Sequence, residues 1–280
     1  MFELSPVAVE RIVSLALEED LSSGDLTTEA CVAPEARAVA HALARKPLVV
    51  CGWPLFARVF ARMDPSLAVE AHVAEGARAE GGRRLWTVSG RARPILMGER
   101  VALNLVQRMC AIATMTRAYA DAVPAGCRAR ITDTRKTTPG LRALERYAVR
   151  VGGAHNHRDN LGAGVLIKDN HVAACGGVRA AIERARAAAP HTAKIECEVD
   201  SLDQLDEALS AGADIVLLDN MPTPTVAEAV RRTRGRALLE ASGGVTLDRV
   251  AELARAGVDA ISVGALTQSA PAADVGLDFA

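Results

Sequence analysis

The chain has 280 residues, half of them hydrophobic, only 3% aromatic, and a net charge of −1. That length allows one large domain or two smaller ones, with a core built from Ala, Val, Leu and Ile rather than from rings. The near-neutral charge argues against nucleic-acid or membrane-surface binding, and no apolar run is long enough to span a bilayer.

The opening stretch MFELSPVAVERIVSLALEEDL lacks the basic-then-apolar layout of a signal peptide, which fits a cytoplasmic protein. It predicts an amphipathic helix capped at Ser5, with Pro6 in the first turn. ARAVAHALARKPLVVCG and LAVEAHVAEGARAEGGRRLWTVSGRARPIL then alternate apolar and polar residues between Gly-rich turns, as antiparallel strands do. They predict a separate α+β domain. GERVALNLVQRMCAIATMTRAYADAV has helical periodicity and no proline, and predicts a long helix joining the two halves.

From there the pattern changes. Six short apolar runs (RARITD, GVLIKD, KIECEV, DIVLLD, ALLEAS and AISVGA) alternate with Ala-rich stretches carrying Arg and Glu. Gly or Pro closes nearly every one of those helices. Strand, helix, strand at such intervals predicts a parallel sheet, and six strands in succession predict an incomplete β/α barrel. An open doubly wound sheet is the competing arrangement. The six cysteines are scattered without paired spacing, which suits reduced thiols and offers no zinc site.

In a β/α barrel the chemistry sits at the C-terminal strand ends. Here those ends read TDTRK, KDNH, EVD, DN, SGG and GALT. Between Arg130 and His171 there are four more basic than acidic residues, in a chain whose total is −1. Arg142, Arg146 and Arg150 fall on one predicted helix and read as its solvated face. Arg135, Lys136, Arg158 and Lys168 remain as a basic cluster. Only four of the 33 basic residues are lysines, so Lys136 and Lys168 stand out beside so many arginines. Arg forks suit carboxylates and compact ammonium groups suit phosphates. Glu196 and Glu198 share a strand face with Lys194, and Asp219 ends the next strand. Glu198 and Asp219 lie nearer the mouth, where carboxylates meet phosphates through a divalent metal such as Mg2+. For Glu196 and Glu240 an internal ion pair with Lys194 is the expectation. Ser242, Gly243 and Gly244, and then Gly264, place small residues and backbone N–H groups where such barrels bind phosphate.

These segments together resemble the quinolinate phosphoribosyltransferase family. The resemblance runs from ALEEDLSSGDLTT through ERVALNLVQRMCAIATMT and is strongest in TDTRKTTPGLR, NHRDNLGAGVLIKDNH and EVDSLDQLDEAL. LLDN, EASGG and SVGALTQS continue it. It implies an N-terminal α/β sandwich over residues 1–112, an α/β barrel over 113–267, and a tail of about 268–280 that packs with the first domain. It implies transfer of the phosphoribosyl group of 5-phosphoribosyl 1-pyrophosphate to quinolinate, with loss of CO2 and Mg2+ as cofactor. It also implies a homodimer, or a hexamer as a trimer of dimers, with shared active sites. By the same resemblance, Thr134, Arg135, His157, Arg158 and the partner subunit's Arg108 hold quinolinate. Lys136 and Lys168 face the phosphates, and Glu198 and Asp219 hold the metal-bound pyrophosphate. Ser242, Gly243, Gly244, Val263, Gly264 and Ala265 cradle the 5-phosphate. Cys110-Ala111, Gln268 and LSSGD depart from the usual family residues without removing a charge. A phosphoribosyltransferase that does not decarboxylate, a paralogue from molybdate-transport operons and a non-catalytic sensor of anionic metabolites are the alternatives.

Overall fold

The structure, a computed structural model, describes residues 4–280. The first three residues of the expected leaderless start therefore lie outside the described residues. The chain forms two compact units that no single cut separates. Residues up to 117, 137–153 and 265–280 make the first, and 118–136 and 154–264 make the second. The sequence reading places residues 137–153 with the barrel; by packing they belong to the first unit.

In chain order the first elements are α1 (Pro6–Leu21), α2 (Leu26–Cys31), β1 (Arg37–Ala44), β2 (Leu48–Val49), α3 (Trp53–Met63), β3 (Ala68–Ala71), β4 (Arg78–Ala79), β5 (Arg84–Arg91) and α4 (Ala92–Asp121). Pro6 starts α1 as expected, but Ser5 occupies the N-cap without a capping hydrogen bond from its side chain. Asp25 does cap α2, accepting the Thr28 N–H at 2.9 Å. The long helix begins at Ala92, six residues before the expected start. Pro94 is tolerated there because the first turn's N–H groups have no partner within the helix.

The later elements are β6 (Arg130–Thr132), α5 (Arg142–Val151), β7 (Val165–Ile167), α6 (Asp169–Cys175), α7 (Val178–Ala188), β8 (Ile195–Val199), α8 (Leu202–Ser210), β9 (Ile215–Asp219), α9 (Thr223–Thr233), β10 (Leu238–Ser242), α10 (Leu247–Ala256), β11 (Ala260–Ser262), α11 (Ala265–Gln268) and β12 (Val275–Phe279).

The first unit holds an antiparallel sheet in the order β12-β1-β5-β3 and a small β2-β4 ribbon. Its core centres on fully buried Trp86, Phe56 and Phe60, with Trp86 and Phe56 rings 4.8 Å apart. The few aromatics are thus concentrated. Of the eight in the chain only Tyr119 falls in the second unit, so the aliphatic core expected for the whole chain is realised there alone.

All six expected barrel strands form. They make one parallel sheet in the order β6-β11-β10-β9-β8-β7. The first strand of the series thus lies beside the last, as in a barrel, yet β6 and β7 do not pair. A single parallel bridge, Thr132 to His155, extends the β6 edge, so the barrel is incomplete. Because every strand is parallel, all their C-terminal ends open on one side.

Candidate active site

The second unit brings most of the expected residues to those strand ends. Just past β6, Asp133 is fully buried. It accepts the Asn156 side-chain amide at 2.6 Å and the His157 backbone N–H at 2.7 Å. Thr134 follows, and its hydroxyl accepts the Lys136 N–H at 3.1 Å. Arg158 lies close to Arg135. Burial, and after it the like charge of Arg135, lowers the Arg158 pKa, while Glu196 acts in the opposite sense. The Arg158 guanidinium donates to the Gly164 carbonyl at 2.9 Å.

At the end of β7, Lys168 donates to Glu198 at 2.6 Å from the end of β8. Lys168 is nearly half exposed and Glu198 only 13% exposed, so the pair straddles the edge of the mouth. KDNH does more than end a strand. Asp169 starts α6, a short helix absent from the sequence reading. The Lys168 N–H donates to His171 Nδ1 at 2.9 Å, and the His171 N–H returns a bond to the Lys168 carbonyl at 2.8 Å.

At the end of β9, Asp219 accepts the Asn220 side-chain amide at 2.9 Å. Asn220 adopts φ 54°, and its N–H donates to the Ser242 carbonyl at 3.0 Å, tying β9 to the SGG turn. Gly243 has φ +86°, and a Cβ there would sit 2.3 Å from Asn220 Oδ1 and 2.8 Å from the Asn220 nitrogen. Only glycine fits that turn. Val263 closes the series at the end of β11, where its N–H donates to the Thr132 carbonyl at 3.0 Å.

Two acids overlooked as site residues lie deeper. Glu196 on β8 and Glu240 on β10 are each 5% exposed. The expected ion pair with Lys194 does not form. Lys194 is exposed, and its charge helps lower the pKa of Asp214 instead. The glutamates face His157, whose Nε2 lies 3.2 Å from Glu196 and 3.5 Å from Glu240. Strand pleating explains this. Glu196 shares the face of Glu198, and alternate strands of a barrel fill one interior layer. That layer is ordinarily aliphatic, and two glutamates in it are the signal the sequence carried. Burial first, then the charge of Glu196, raises the Glu240 pKa to about 7, with His157 opposing. Burial works against charge on His157, but the surrounding carboxylates outweigh it and raise its pKa.

Three expectations fall in the first unit. Arg108 on α4 donates to buried Glu145 at 2.9 Å and 3.1 Å, to the Ala270 carbonyl at 3.1 Å, and to the Thr267 carbonyl. In its own chain all three of its guanidinium nitrogens therefore have local partners. Arg142, Arg146 and Arg150 are half-buried rather than a solvated face. Arg142 donates to the Thr137 hydroxyl at 2.9 Å. Ala265 begins α11 and also belongs to the first unit.

An incomplete parallel barrel, with arginines, lysines and carboxylates converging at the C-terminal strand ends, defines an α/β-barrel enzyme of the phosphoribosyltransferase class. Family comparison gives the particular member. The model of the quinolinate phosphoribosyl transferase C-terminal domain matches residues 112–278, and that of the N-terminal domain matches residues 25–110. The chain belongs to the quinolinate phosphoribosyl transferase family. It is 46% identical to the nicotinate-nucleotide pyrophosphorylase [carboxylating] of Mycobacterium leprae, over 97% of each chain. It is 41% identical to the human protein of that name, over 98% of this chain and 92% of the other. The crystal structure of nicotinate-nucleotide pyrophosphorylase from Ehrlichia chaffeensis matches over all of both chains, with a TM-score of 0.94 and 38% identity.

Proposed function

We propose that this chain transfers the phosphoribosyl group of 5-phosphoribosyl 1-pyrophosphate to quinolinate, yielding nicotinate mononucleotide, pyrophosphate and CO2. The observation that carries the reading is the pair Arg135 and Arg158. Two arginines close together past the ends of their strands suit a dianion, and quinolinate has two adjacent carboxylates on a planar ring. Thr134 borders that site, and His157 adjoins it next to Arg158. Lys136 and Lys168 face the phosphates of the second substrate. Ser242, Gly243, Gly244 and Gly264 surround its 5-phosphate with small residues and backbone N–H groups, while the Val263 N–H is taken by the Thr132 carbonyl and fixes the end of β11.

Glu198 and Asp219 provide only oxygen ligands, which suits Mg2+. Among the described residues they are not part of a cluster of three ligands, and Mg2+ ordinarily takes one or two carboxylates and completes its shell with water and phosphate. Held by Glu198 and Asp219, Mg2+ would supply positive charge to the leaving pyrophosphate. The chain's own residues supply position and charge. Lys168, whose ammonium donates to Glu198 at 2.6 Å, would meet the departing pyrophosphate. The arginines hold quinolinate so that its ring nitrogen meets ribose C1 as that carbon becomes cationic. The quaternised nitrogen then stabilises the electron pair left on C2 as the C2 carboxylate departs as CO2, and a proton taken up from water replaces it. No step needs a covalent nucleophile. That fits the thiols, since all six cysteines are free and burial raises Cys51, Cys110 and Cys197 above the usual range.

The proposal extends to a homodimer, alone or assembled as three dimers, in which the partner subunit's Arg108 reaches the quinolinate carboxylates. It places the enzyme in the cytoplasm, with support from the unbridged cysteines. No helix among the described residues is long and apolar enough to cross a membrane. Incubation with quinolinate, the ribose pyrophosphate and Mg2+, followed by chromatography of the products, tests the reading. Nicotinate mononucleotide should form and should cease to form with a chelator. Nucleotide made from nicotinate but not quinolinate would overturn it in favour of the non-decarboxylating reaction. Binding of both substrates without product would favour a sensor.

A further inference from the structure

We propose that Glu196 and Glu240 are positioning residues that lock the His157 ring with Nδ1 turned to the Arg158 amide, so that His157 serves the carboxylate site through Arg158 rather than by contacting substrate. This rests on the proposed function and deepens it.

The argument begins with one hydrogen bond. The Arg158 backbone N–H donates to His157 Nδ1 at 2.7 Å. A nitrogen that accepts an N–H carries no proton, so the ring's proton lies on Nε2; the carboxylates favour a charged ring, but a second proton could go only to Nδ1, against the Arg158 N–H, and the ring stays neutral while that bond holds. Nε2 points at Glu196, 3.2 Å away, with Glu240 at 3.5 Å. Both carboxylates are 5% exposed and belong to barrel strands, so neither can turn away to water. The His157 backbone N–H is held as well, by Asp133 at 2.7 Å. His157 is thus fixed at its amide and at both ring nitrogens, and its side chain is only 13% exposed. While that arrangement holds, the ring has no N–H for a substrate carboxylate. What it does hold is the backbone of the next residue, Arg158, whose guanidinium is braced on the Gly164 carbonyl. The acid layer beneath the mouth therefore sets the direction of a cation within it.

The same three side chains invite another reading. Their ligand atoms lie within 4.8 Å of one another, the one such cluster among the described residues. A metal-bound histidine, however, donates its second ring N–H to an acceptor. Here the second nitrogen accepts. Metal on Nε2 would require a proton on Nδ1, directly against the Arg158 N–H.

Two measurements on the full-length enzyme test the proposal. The first is NMR of nitrogen-15 histidine, with the His157 signals assigned by their absence from His157→Gln. It should show a protonated Nε2 and an unprotonated, hydrogen-bonded Nδ1, unchanged by added Zn2+ or Mn2+. A proton on Nδ1, or an Nε2 signal that moves with metal, overturns the proposal. The second is kinetic. Glu196→Ala should raise KM for quinolinate about tenfold, on the scale of one lost charge-assisted hydrogen bond. KM for the ribose pyrophosphate should change less than about twofold, since the phosphate-facing groups do not depend on this bond. Glu196→Gln, whose amide oxygen still accepts from Nε2–H, should return the quinolinate KM close to wild type. Equal rises in both KM values, or no rescue by Gln, overturns the positioning role. Should Glu196→Ala not fold, the NMR result decides alone. A wild-type enzyme without quinolinate turnover would refute the proposed function, and the tautomer would still be read independently.

Discussion

Replacing Arg108 with alanine separates two roles that this residue has been given. Glu145 is completely buried, and Arg108 is its ionic partner through two hydrogen bonds, with one further bond from the Thr138 N–H at 3.1 Å. Removing the guanidinium leaves a buried carboxylate facing an empty space. Breaking a buried pair from one side costs about 3–5 kcal/mol, and the 26% exposure of Arg108 places this case near the lower end, at about 3 kcal/mol. In a chain of this size that corresponds to a fall in Tm of roughly 6–10 °C. Arg108→Ala/Glu145→Gln removes the stranded charge and should recover about half of the loss or more. The assay is thermal unfolding of wild type, the two single variants and the double variant, with activity measured in parallel. If Arg108→Ala unfolds at the wild-type temperature, the Glu145 pair contributes nothing and the local account is refuted. The catalytic role across the dimer is read separately. Arg108→Ala and Lys136→Ala subunits, each nearly inactive alone, should regain activity toward a quarter of wild type after random subunit exchange. No recovery, with exchange verified independently, rules out the shared site.

Lys136→Ala and Lys168→Ala should each lower kcat by about a hundredfold or more while shifting Tm little, because both lysines are exposed and their proposed role is to meet the phosphates. Near-normal turnover in either variant would remove that lysine from the mechanism. Arg135→Lys keeps the charge but loses the fork, and should cost about 1.5–3 kcal/mol in quinolinate binding alone, read by calorimetry against both substrates. Gly243→Ala, forced to φ +86° against Asn220, should lose about 1–3 kcal/mol in urea unfolding and raise KM for the ribose pyrophosphate. Burial raises the Glu240 pKa to about 7 in the folded protein from an ordinary 4.5, so it contributes stability below the lower value that is lost as pH rises through the higher. Glu240→Gln should therefore gain stability relative to wild type between pH 5 and pH 8 in urea titrations, and an unchanged gap would refute the burial of that carboxyl.

The barrel was legible because each of its strands is a short apolar run bounded by a polar end and an Ala-rich helix, a period that a parallel sheet imposes. The cations at the mouth were legible for a related reason, since lysines are rare in an arginine-rich chain. The acid layer was not. Glu196 and Glu240 were seen, but their partner was sought nearby in sequence at Lys194. The actual partner, His157, lies 39 and 83 residues away and meets them only when β8 and β10 fold side by side with β9 between. Arg142 and its neighbours were misread for a similar reason. Helical spacing shows that three arginines share a face but not what covers that face, and α5 packs with α1 and α11, elements from the two ends of the chain. The aromatic core of the first unit was hidden by averaging, since 3% over 280 residues conceals Trp86, Phe56 and Phe60 in one cluster.

The most direct test of the account is the fate of one carbon. Quinolinate labelled in the C2 carboxylate, incubated with the purified enzyme, the ribose pyrophosphate and Mg2+, should release labelled CO2 in equal amount to the nucleotide formed, while label in the C3 carboxylate should stay with the product. Nucleotide without labelled CO2, or label released from C3, would contradict it.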